Sequence, residues 1–123
     1  MHPNIDWTQS QPALAGAELS ELMANWNIYR SQMLAFMEGY DVILCPASAA
    51  PAPRHEDIAS LDLSYVSAYN LTGWPVVVVR GGTSPEGLPI GVQVVARPWR
   101  EDVALAVAQE IERVTGGWHA PAL

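Results

Sequence analysis

The chain has no lysine. All six of its basic residues are arginines (Arg30, Arg54, Arg80, Arg97, Arg100 and Arg113), and they are scattered rather than clustered. With 13 acidic residues the formal net charge is −7. Phosphate binding needs grouped Lys and Arg, so this balance argues against nucleic acid and anionic membranes as partners. A single cysteine, Cys45, excludes an intrachain disulfide and fits a reducing compartment. No apolar run approaches the roughly 20 residues of a membrane-spanning helix. The opening Met1-His2-Pro3-Asn4-Ile5-Asp6-Trp7 has neither a basic stretch nor an apolar one, so no signal peptide is expected. Cytoplasmic location is the expectation.

Charge of either sign is also scarce. Only 15% of residues are charged against a typical ~25%, while 50% are apolar. A length of 123 residues suits one compact domain and not comfortably two. Small domains bury a smaller share of their surface, so the apolar excess is expected to face a partner or a further domain.

Residues 1–15 read as an extended, polar lead-in, and residues 16–123 as a single α/β domain. From about Ala17 to Glu38, Leu19, Leu22, Met23, Trp26, Tyr29, Met33 and Met37 recur at three- and four-residue spacing, one face of a helix. Core packing is the expected use of that stripe, and Gly39 the expected left-handed stop. Asp41 to Cys45 reads as a buried strand. Pro46 opens a loop to Asp57 whose three prolines bar helix and central strand. A short helix is predicted over Leu61–Asn70, capped by Ser60. Val76–Val79 and Ile90–Ala96 read as strands apolar on both faces, which predicts central positions. The nine-residue connection Gly81–Pro89 is too short for a helical crossover, so the two strands are expected to pair antiparallel. Val103, Val107, Ile111 and Val114 mark a last helix ending at Gly116-Gly117. Helices on a small mixed sheet fit this order.

Four motifs carry chemistry or turn geometry in sequence: Tyr40-Asp41-Val42-Ile43-Leu44-Cys45-Pro46, Asn70-Leu71-Thr72-Gly73-Trp74-Pro75, Gly87-Leu88-Pro89-Ile90-Gly91-Val92-Gln93, and the tail Thr115-Gly116-Gly117-Trp118-His119. Each alone is turn chemistry beside a strand or helix. Gln93 lies within an apolar strand, where an unpaired amide is costly, so it is expected to be hydrogen-bonded. Gly91 is expected to admit a close backbone, and Asn70 to cap or turn a helix end.

In this order and spacing the motifs resemble the C-terminal segment of the amidase signature family, over about Trp26 to Pro121. The resemblance implies the C-terminal part of that α/β fold and a parent reaction of linear-amide hydrolysis through an acyl-enzyme, with serine nucleophile and lysine in the proton relay. Those groups belong to a Gly/Ser-rich segment with a lysine, which this sequence lacks. Gly81-Gly82-Thr83-Ser84 echoes such a segment only superficially. No catalytic residue and no cofactor is therefore implied here, and the chain is expected to be inactive alone. Asp62, Tyr65, Asn70 and Trp74 are the candidates for a substrate-pocket wall; a surface carboxylate, packed rings and helix capping are the structural alternatives.

The implied partner is the amidase portion that carries the serines and lysine, with a small amide as substrate only in the complete enzyme. The alternative is a non-catalytic binding or assembly module that self-associates as a homodimer through its exposed sheet. A third reading, Cys45 as nucleophile with His55 as base, lacks a residue to orient His55. His55-Glu56-Asp57 falls short of a zinc set, so no metal is expected.

Overall fold

The computed structural model describes residues 10–60 and 63–120. Helix α1 spans Gly16–Phe36, strand β1 Val42–Pro46, helix α2 Ser64–Thr72, strand β2 Val76–Thr83, strand β3 Pro89–Ala96 and helix α3 Glu101–Thr115. Short 3-10 turns occupy Met37–Gly39 and His55–Ser60. Much of the expected lead-in, residues 1–9, and Asp62 lie outside the described residues.

The strands form one sheet in the order β1-β3-β2. β2 and β3 pair antiparallel as their short connection requires, with Val76 opposite Val95 and Val79 opposite Val92. β1 also runs antiparallel to β3, Val42 facing Ala96 and Cys45 facing Gln93. Both pairings being antiparallel, the α/β fold is as expected but the sheet is not mixed. Among the described residues only β3 is central; β2 is an edge strand, against expectation. A strand apolar on both faces signals cover above and below, and says nothing of its lateral neighbours.

The two faces are covered differently. Val42, Val77, Val79, Val94 and Ala96 pack against Val103, Ala104, Val107, Ala108 and Ile111 of α3. Ala104 and Ala108 are small enough to let the helix lie close to the strands. Asp and Glu in the first turn of α3 and Arg113 in its last suit the helix dipole. Gly116 ends the helix at φ 83°, and Arg80 Nη1 reaches across from β2 to donate to Gly117 O at 3.0 Å. The opposite face gathers Ile43, Val76 and Val95 with Met37, Trp74, Met33 and Tyr69.

Glycine matters most at Gly81, beside the irregularity between Arg80 and Gly82 in β2. A Cβ there would stand 2.3 Å from Val92 Cγ2. Gly81→Ala should therefore destabilise the chain by about 1–3 kcal/mol through overpacking, read as a lower denaturation midpoint. At Gly91 the close neighbours are side chains, Val78 Cγ1 and Ala47 Cβ, rather than the backbone that was expected.

Three further expectations are corrected. α1 ends in a 3-10 turn through Gly39, which is not among the positive-φ residues. Arg97 Nη2, just past the end of β3, secures that turn, donating to Glu38 O at 3.3 Å and Tyr40 O at 3.1 Å, with Met37 O also in reach. α2 begins at Ser64 rather than Leu61 and closes on Gly73 at φ 70°. That glycine takes the left-handed position, so Asn70 stays inside the helix. Lastly, the first half of the α1 stripe is not core: Leu19, Leu22, Met23 and Trp26 are exposed, Tyr29 and Met33 are half-buried, and only Met37 is fully buried. Ile28, Leu34 and Phe36 are exposed as well, so α1 is apolar on several sides. Helices of that kind are normally buried in something larger.

Candidate functional site

On the α2 side of the sheet, one carboxamide joins three elements. Gln93 sits mid-way along β3 and is 2% exposed. Its Nε2 donates to Pro46 O at 2.8 Å, where β1 enters the Pro-rich loop, and to Tyr65 O at 3.1 Å in the first turn of α2. Cys45 Sγ lies 3.5 Å from the same nitrogen. The expectation that this buried amide is satisfied holds, and no buried side-chain polar atom among the described residues lacks a partner.

Cys45 Sγ also lies 3.6 Å from Tyr69 Oη. Burial of the ring, then the hydrogen bond and proximity to the thiol, push the Tyr69 phenol up to about 12. A phenol held neutral to that pH gives up less proton in the folded state than in the unfolded one, where it titrates near 10. The stability it contributes is therefore complete below about pH 10 and lost as pH rises towards about 12. Absorbance titration should show this late phenolate step, and Tyr69→Phe should remove it.

Two open surfaces adjoin this cluster. The Pro-rich loop and the start of β3 enclose about 220 Å³ lined by Ala47, Ser48, Pro51, Pro89, Ile90 and Gly91. Between α1 and α2, Leu22, Met23, Trp26, Tyr29 and Leu71 line an apolar groove of about 350 Å³. Trp26 Nε1 donates to Leu71 O at its base, linking the two helices.

Three of the four candidate pocket residues fall within the described residues, at separate places. Tyr65 is exposed on α2 while its carbonyl is held by Gln93. Asn70 is exposed five residues on, about 140° further round the helix. Trp74 is buried with Met37 and Val95 in the sheet-side core. Asp62 lies outside the described residues. Cys45 meets Tyr69 and Gln93, whereas His55 stands on an exposed turn. Among the described residues no three His, Cys, Asp or Glu side chains group as metal ligands. Sequence reasoning singled out Gln93 and Cys45 but not their meeting, which depends on the β1–β3 register.

A model of the Amidase family matches residues 7–105. The chain belongs to the amidase family. It is 33% identical over 94 residues to human Fatty-acid amide hydrolase 2, covering 75% of this chain and 18% of that protein. It is 36% identical over 101 residues to a subunit of Glutamyl-tRNA(Gln) amidotransferase from Rhizobium meliloti, covering 76% of this chain and 20% of that protein. A solved amidase structure superposes with a TM-score of 0.81 at 21% identity, over 94% of this chain and 29% of that one. The amidase fold is thus shared, and the chain spans a minor part of the length of the relatives it matches.

Proposed function

We propose that this chain supplies scaffold to an amidase-signature serine hydrolase. It completes the sheet and walls the pocket, while the serines and lysine come from another part of the polypeptide or from a separate one. The observation that carries this reading is the pairing of a family match over residues 7–105 with a sequence that holds no lysine. The uncovered apolar surface of α1 supports it, because that helix has the composition of a buried one and meets little of its own chain. Residues 16–123 act as one α/β unit, with Asp62 and Tyr65 at the amide-binding side. The substrate is a small linear carboxamide, no cofactor takes part, and the setting is cytoplasmic. No helix among the described residues is long and apolar enough to cross a membrane.

The test is hydrolysis of a simple linear amide by the purified chain, with and without the serine- and lysine-bearing portion supplied in trans. Turnover is expected only with both present. Turnover by the chain alone would overturn the scaffold reading, and its loss in Cys45→Ser would then favour a cysteine nucleophile. A homodimer formed through the exposed sheet is the second reading; light scattering at a monomer's mass counts against it.

A further inference from the structure

Gln93 Nε2 reaches three acceptors: backbone oxygens of two elements outside the sheet's centre, Pro46 O and Tyr65 O, and the Cys45 thiol. Pro46 O opens the Pro/Ala loop, which is also tied to β3 by Ala47 N to Gly91 O at 3.1 Å. Tyr65 O belongs to the first turn of α2. β3, by contrast, is the central strand, and α3 packs on its other face through Val94 and Ala96. The carboxamide therefore ties the Pro/Ala loop and α2 to the central strand. We propose that Gln93 is a positioning residue of the amide-binding pocket, its Nε2 setting the angle between the Pro/Ala loop and α2. The proposal rests on the amidase reading above for what the pocket binds. Gln93 touches no substrate; it acts through the main chain at Pro46 and Tyr65.

Two substitutions in the assembled enzyme, this chain together with the serine- and lysine-bearing portion, test it. Gln93→Met keeps the length and removes both donors. KM for a small linear amide should rise about tenfold while kcat changes by less than about threefold, because the reacting groups lie elsewhere. Gln93→Glu keeps the shape but sets a carboxylate against two carbonyl oxygens, which together with burial raises its pKa above the usual ~4.3. Once protonated it regains one donor. Its kcat/KM relative to wild type should therefore climb as pH falls from about 8 to about 5, a recovery that Gln93→Met cannot show. Unchanged kinetics, equal losses in KM and kcat, or a flat Gln93→Glu ratio would overturn the proposal. Hydrogen exchange of the Gln93→Met assembly supplies a readout independent of turnover. Faster exchange confined to α2 and residues 47–57, with α3 unchanged, is expected; uniform acceleration or none would overturn positioning. If the wild-type assembly cleaves no amide, the amidase reading falls, and the exchange pattern still decides whether Gln93 positions these elements.

Discussion

Val94→Asp is expected to abolish the folded state. Val94 is fully buried between the central strand and α3, against Ala96, Ala104 and Ala108. The substitution removes an aliphatic side chain whose burial is worth about 1.5–3 kcal/mol and leaves a carboxylate with no partner at its new position. Together these cost at least about 4–5 kcal/mol, at the edge of the 5–15 kcal/mol that holds a typical domain together. A chain this small sits towards the lower end of that range. Denaturant titration followed by far-UV circular dichroism should lose its cooperative transition. Leu105→Glu is the matched control, because Leu105 is half exposed on the outer side of the same helix. It should move the transition by no more than about 0.5 kcal/mol.

The second large effect falls on association rather than folding. Leu19 and Leu22 lie on α1 with 49% and 54% of their surface free. Introducing Leu19→Glu and Leu22→Glu together removes little native packing within the chain, so its denaturation midpoint should shift by less than about 0.5 kcal/mol. If α1 docks on the serine- and lysine-bearing portion, the same pair puts two charges into an apolar interface. Affinity for that portion should then fall about 100-fold, equivalent to about 2.7 kcal/mol. Isothermal titration calorimetry reads the loss of affinity and denaturant titration the unchanged stability. An unaltered affinity would remove α1 from the interface; a collapse of chain stability would show that the helix is core after all.

What could be read in advance depended on whether a feature is local. Of the expected stripe of α3, Val103, Val107 and Ile111 pack on the sheet while Val114 in the last turn is exposed, and Gly116 is its end, because helical periodicity and a left-handed stop are properties of neighbouring residues. The β2–β3 pairing followed likewise from the length of its connection. The lateral place of β1 did not, since nothing local says that Cys45 lies opposite Gln93. For α1 the spacing identified an apolar stripe but not what covers it, and core packing was the wrong inference for Leu19 to Trp26. Asn70 illustrates competition between neighbours: it suits a helix end, but Gly73 adopts positive φ without a Cβ penalty and takes that position. At the candidate site, burial alone required Gln93 to have partners. Their identities, Pro46 and Tyr65, come from three elements meeting and could not be read from any one of them.

The most direct measurement of the division of labour is the mass of each component after the assembled protein reacts with a serine-directed fluorophosphonate. Activated serine nucleophiles form a stable adduct with such a reagent. The expected result is an adduct on the serine- and lysine-bearing portion and an unmodified mass for this chain. An adduct on any residue of this chain, formed at the rate at which activity is lost, would contradict it.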